Sequence, residues 1–154
     1  NPSAGNYSLG SSNTTEKCAH GSVSFSAISG KTYLFEINFV AYAYNESEEL
    51  VSSYLRLYKH TSAKSRGDTS GFGTAIAQRN LYLRATELSD TLQINPGGIY
   101  LSAAFTASTT QPEYLHLVGQ NANTSTTTQF NFGTDNCLLK ITEFDSDNYT
   151  THTS

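Results

Sequence analysis

The 154-residue chain reads as an all-β protein of two antiparallel sheets, in a sandwich or barrel. Three observations support this. Roughly eight segments alternate apolar and polar residues, turn residues divide them at roughly ten-residue intervals, and no stretch of about ten or more residues shows a helical repeat. Little or no helix is therefore expected. Serine and threonine supply 40 of the 154 residues, more than polar loops need, and threonine suits strands. A chain of this length buries about 70% of its unfolded surface, so one core and one domain spanning 1–154 are expected.

Residues 1–20, NPSAGNYSLGSSNTTEKCAH, are polar and rich in Gly, Ser and Asn, and are expected to form a lead-in arm. VSFSAI (23–28) alternates as a half-buried strand and ends in the turn Ser29-Gly30-Lys31. YLFEINFVAYAY (33–44) is the clearest strand, with Tyr33, Phe35, Ile37 and Phe39 facing a core and Glu36, Asn38, Tyr42 and Tyr44 facing away. After the charged turn NESEEL, VSSYLRLYKH sends Leu55 and Leu57 inward and Tyr54, Arg56, Tyr58 and His60 outward. TSAKSRGDTSGFGT (61–74) has the composition of a long mobile loop. NLYLRA (80–85) repeats the pattern, with Leu81 and Leu83 in and Tyr82 and Arg84 out. DTLQI (90–94), the turn at 95–98 and the strand IYLSAAF (99–105) follow. YLHLVG (114–119) turns Leu115 and Leu117 in and Tyr114 and His116 out. QFNF (129–132) and CLLKITEF (137–144) close the fold, and 145–154 is a polar tail.

Composition excludes several functions. The formal charge of −4 comes with nine basic residues scattered singly, so no cationic stripe follows a phosphate backbone and no nucleic-acid partner is expected. No apolar run approaches the ~18 residues needed to cross a bilayer, and no secretory leader pattern opens the chain. The start at NPSAG and the lack of methionine suggest a processed protein or a piece of a longer one. Five Asn-X-Ser/Thr triplets, at Asn6, Asn13, Asn45, Asn123 and Asn148, are little more than the roughly three that twelve asparagines yield by chance. Cys18 and Cys137 lie near opposite ends. A disulfide between them would close a long loop and add about 4 to 5 kcal/mol, whereas a reducing compartment would leave two buried thiols.

The outward residues hold the functional signal. Glu36, Asn38, Tyr42, Tyr54, Arg56, Tyr58, Tyr82, Arg84, Tyr100, Tyr114 and His116, pooled on one face, would combine rings that stack on pyranose C–H surfaces with groups that pair with hydroxyls. The bland alternative is a sheet surface stabilised by Tyr–Arg pairs, or one covered by another subunit. The arginines suggest an acidic or heavily hydroxylated glycan. Catalysis has no comparable support. The four histidines (20, 60, 116, 152) join no nucleophile elbow, HEXXH or phosphate loop, and Glu46, Glu48 and Glu49 fit a charged hairpin turn. No enzyme is expected, although a catalytic domain could precede or follow in a longer parent chain.

The runs ISGKTYLFEINFVAYA (28–43), LYLRATELSDTLQINPGGIYLSAAF (81–105) and FGTDNCLLKITEF (132–144) resemble, in order, the galactose-binding-like jelly-roll carbohydrate-binding modules. The resemblance implies a jelly-roll sandwich, non-catalytic glycan binding and no obligatory cofactor. It also implies a structural calcium near the termini, toward which Asp135 matches the family's closing Asp. The chain departs from the family in having no tryptophan, so tyrosine would supply the stacking rings. It is also similar to the distal β-sandwich domains of bacteriophage tail fibres and tailspikes. That similarity implies an extracellular or virion-surface location and, as the alternative to a free-standing lectin-like module, a homotrimeric structural tip in which the same tyrosines pack against a partner chain.

Overall fold

The computed structural model describes residues 6–9, 15–44, 50–84, 98–121, 127–131 and 138–145; side chains are described for 15–40, 53–81, 98–121 and 138–145. The nine strands are β1 Asn6–Leu9, β2 Lys17–Ala27, β3 Thr32–Tyr44, β4 Leu50–His60, β5 Thr74–Arg84, β6 Gly98–Thr106, β7 Gln111–Asn121, β8 Thr127–Asn131 and β9 Leu138–Phe144. None of the described residues is helical. The alternation that marked the strands decides their burial. Tyr33, Phe35, Ile37 and Phe39 are at most 3% exposed, and Leu55, Leu57, Leu115 and Leu117 at most 1%.

One sheet runs β1-β8-β3-β6, with β9 also paired to β3; the other runs β2-β7-β4-β5. All pairings are antiparallel, and β1 meets β8, β2 meets β7, β3 meets β6 and β4 meets β5. This nesting is that of a long two-stranded ribbon rolled onto itself, and it makes the domain a β-sandwich of two packed antiparallel sheets. Between the sheets lie two connected apolar clusters. Ile37, Phe39, Leu81, Leu101 and Leu117 build one, and Tyr33, Phe35, Leu57 and Leu115 build the other. In the second, Phe35 and Phe105 stack at 5.5 Å and Phe25 meets Phe35 edge-on at 5.4 Å, geometries that favour aromatic pairs beyond the area they bury.

The structure corrects three local expectations. The first twenty residues are not simply an arm, because residues 6–9 pair with β8 and residues 17–20 open β2. The strand expected from residue 80 begins at Thr74. The loop at 61–73 lies on the protein surface held by backbone hydrogen bonds to β2. The strand expected at 90–94, the start of the following turn, Asp135, Cys137 and residues 146–154 lie outside the described residues.

Candidate functional site

With Leu55 and Leu57 in the core, parity puts Tyr54, Arg56 and Tyr58 on the outer face of the four-stranded sheet. Register then decides their neighbours. Tyr54 lies between Gln120 and Asn80, Arg56 between Val118 and Gln78, and Tyr58 between His116 and Ala75. Arg56 Nε donates to Gln78 Oε1 at 2.8 Å, and Gln78 Nε2 donates to Asn80 Oδ1 at 3.3 Å. On the other side, Arg56 Nη1 pairs with Glu16, whose carboxylate also accepts the Tyr58 hydroxyl at 3.1 Å. Carboxylate, guanidinium and two amides thus form a continuous hydrogen-bonded row beside the half-buried Tyr54 ring. The Glu16 hydrogen bond stabilises the charged guanidinium and raises its pKa. Desolvation, followed by the nearby Glu16 charge, raises that of the Tyr58 phenol.

The rest of this face is closed. Gly67 N donates to Cys18 O, Cys18 N to Asp68 O and Ser22 N to Lys64 O, which lays the 61–73 loop along the irregular part of β2, between Cys18 and Val23. Phe72 drops into the resulting hollow and packs with Cys18, Val118 and Tyr58. His116, expected as a ligand-facing residue, is sealed beneath it at 1% exposure. Its ring stacks on Tyr58 with centroids 6.1 Å apart and 6° between planes, and its Nε2–H donates to the Phe72 carbonyl at 2.8 Å. That bond leaves Nδ1 to accept from the Ser22 hydroxyl at 3.4 Å, and Ser22 Oγ in turn accepts from Lys64 N at 2.7 Å. Burial pushes the His116 pKa down to about 4, so the ring is neutral at pH 7. Tyr114 shares the face at its far end, opposite His60 and Ser24.

The pooled patch expected from sequence is therefore divided. Glu36 and Asn38 belong to β3 in the five-stranded sheet and face away on the opposite side of the sandwich. There Glu36 accepts from the Tyr100 hydroxyl at 2.9 Å and pairs with Lys140 at 3.3 Å. Parity predicts in or out for each strand, but only pairing decides which sheet a strand joins. Tyr42 pairs with Gln129 and Tyr82 with Ser52, while Arg84 pairs with Leu50; their side chains lie outside those described. The expected calcium residue, Asp135, also lies outside, and no group of three or more His, Cys, Asp or Glu that could hold a metal occurs among the described residues. Cys18 is a free, buried thiol whose Sγ donates to the His20 carbonyl. Burial, reinforced by Asp68, raises its pKa to about 12. Its expected disulfide partner, Cys137, is outside the described residues.

Sequence reading missed Glu16, Gln78 and Asn80. The last two had a partial signal, since Tyr82 and Arg84 share their parity, but the alternation breaks within TAIAQRN, where Arg79 stands exposed at an inward position and Ile76 and Ala77 both pack against the core. Glu16 had none, because only folding brings it within reach of a strand forty residues away.

No family model matches the chain, and no curated protein matches it. Among solved structures it is similar to the EclA C-terminal domain, described as a sugar-binding protein, with a TM-score of 0.47 and 15% identity over 92% of this chain and 80% of that one.

Proposed function

We propose that this chain is a non-catalytic carbohydrate-binding domain that holds an uncharged glycan on the outer face of the four-stranded sheet, against Tyr54 and along the row Arg56, Gln78 and Asn80. The observation that carries this reading is the row itself. Planar donors and acceptors on adjacent strands, about 4.8 Å apart, stand beside an aromatic ring, and two of them, Gln78 and Asn80, are exposed. A pyranose presents the matching surface, with an apolar C–H face for the ring and hydroxyls that both donate and accept. The guanidinium has five N–H donors, of which the bonds to Gln78, Glu16 and the Tyr58 hydroxyl use three, so it keeps donors for a ligand. Its charge is already balanced by Glu16, which favours a neutral, hydroxyl-rich ligand over the acidic one suggested by arginine content.

The test is a glycan array on the wild-type protein, followed by calorimetry of the best ligand with Tyr54→Ala and Gln78→Ala. Each variant is expected to bind about tenfold more weakly, equivalent to about 1.4 kcal/mol, without loss of fold. If no glycan binds, or both variants match the wild type, this assignment is wrong.

A further inference from the structure

The opposite face carries an arrangement that the first site does not use. On the outer side of the five-stranded sheet, Tyr100, Asn38 and Leu138 form one row across β6, β3 and β9, and Ser102, Glu36 and Lys140 form the next. Ile28, Tyr100 and Leu138 are the large hydrophobic residues exposed among those described. Ile28 borders a turn, whereas the other two flank the Asn38 amide in a single row, at 47% and 64% exposure. A solvated sheet face requires neither.

The ring is also held in place. The Tyr100 hydroxyl reaches diagonally into the second row to Glu36 Oε1, Lys140 Nζ holds the other oxygen of that carboxylate, and Arg79 Nη1 donates to the Tyr100 carbonyl at 2.8 Å. A ring drawn from its own row toward the next lies along the sheet and offers a face to solvent while its polar tip is occupied. Beside it, a side chain at Gly98 would come within 3.3 Å of Asn38 Oδ1, so glycine keeps the amide accessible.

We infer that this face is a second saccharide-binding site, centred on Tyr100 and Asn38 and suited to an uncharged pyranose chain, so that the domain binds glycan on both sides and can cross-link it. The inference takes its ligand class from the function proposed above. Glu36 and Lys140 neutralise one another, which leaves the face without net attraction for an anion. Two apolar side chains separated by an amide fall far short of the roughly 800 Å² per partner of a stable protein interface, but they suit the C–H face and hydroxyl rim of a sugar. Since the sheets pack face to face about 10 Å apart, the two outer surfaces point away from each other and one sugar unit cannot occupy both.

The experiment is native affinity electrophoresis in galactomannan, mannan and mixed-linkage β-glucan, followed by calorimetry with an oligosaccharide of the most retarding polymer. The proteins are wild type, Tyr54→Ala, Tyr100→Ala and the double variant. The expected result is a stoichiometry near two for wild type, near one for each single variant, and loss of retardation in the double variant. Tyr100→Phe, which keeps the ring but frees it from Glu36, should weaken its site several-fold and provides a control that cannot be dismissed as misfolding. A stoichiometry of one that Tyr54→Ala abolishes and Tyr100→Ala leaves unchanged overturns the second site while the first stands. The reverse pattern supports the site described here and removes the first. No retardation by any of the three polymers overturns both.

Discussion

Glu113 shows how a single residue can escape sequence reading. It has the inward parity of Leu115 and Leu117 and is 3% exposed, yet in sequence it stands in a polar run that reads as loop. Its acceptance in the core depends on Lys59, an inward residue of β4 that is 54 positions away and meets it only through the β4–β7 register. Lys59 Nζ lies 3.2 Å from Glu113 Oε1, which also accepts from Gln111 at 2.8 Å, and 4.7 Å from the centre of the Phe105 ring. Removing the lysine leaves a buried carboxylate without its countercharge, a change that costs about 3 kcal/mol or more. Lys59→Ala is therefore expected to lower stability by about 3 kcal/mol in urea unfolding, and Lys59→Met with Glu113→Leu by much less. Equal losses in the two proteins would show that packing, not charge, governs this position.

At the scale of elements, most strands were legible, with β1 and the starts of β2 and β5 as exceptions, and the 61–73 loop was not. Each strand's own alternation determines its inner face, and Phe35, Phe39, Leu55, Leu57, Leu81, Leu115 and Leu117, all expected in the core, lie there, while the Leu83 side chain is outside those described. The loop's Gly, Ser and charged residues announced irregular backbone correctly but concealed its role, because one aromatic in a polar run carries no periodicity. Phe72 is that aromatic, and it covers Cys18, Val118 and His116. Next to it, Gly73 has φ +91° and approaches so closely that a Cβ would lie 2.4 Å from the Lys59 carbonyl oxygen; only glycine lets the chain enter β5 there. Opening the cover should be measurable chemically. In the reduced native protein, iodoacetamide is expected to modify Cys18 very slowly, since the thiolate is both shielded and disfavoured by a pKa of about 12. Phe72→Ala should accelerate labelling at that cysteine at least tenfold, read by peptide mass mapping, and lower stability by about 3 kcal/mol. Fast modification of Cys18 in the wild type would mean that the loop does not seal the face.

Across the whole molecule, parity could predict two packed sheets but not their membership. Strands that alternate alike are interchangeable until pairing distinguishes them, which is why Glu36 and Asn38 were pooled with Tyr54 and Arg56 and lie on opposite surfaces. The pairing also creates a global dependence on pH, because the covered half of the four-stranded sheet encloses two imidazoles. His116 titrates in the folded protein at about 4 instead of 6.5, chiefly from burial, with His60 and Lys64 lowering it further and Asp68 opposing them. His20 is shifted in the same direction, again mainly by burial. Between those two values the unfolded chain binds a proton at residue 116 that the folded chain excludes, so stability falls as pH drops through 6.5 and levels off below about 4. At about 1.4 kcal/mol for each pKa unit, His116 alone accounts for a loss of about 3 kcal/mol across that window. Urea midpoints measured at several pH values from about 7 to 4.5 should fall steadily for the wild type. His116→Gln offers similar hydrogen-bonding groups without a titrating ring, so it should start less stable and lose less on acidification, with the remainder assigned to His20 and the carboxylates. An unchanged wild-type midpoint over that range would mean that residue 116 already exchanges protons with solvent, and that the Phe72 cover opens on the way to equilibrium.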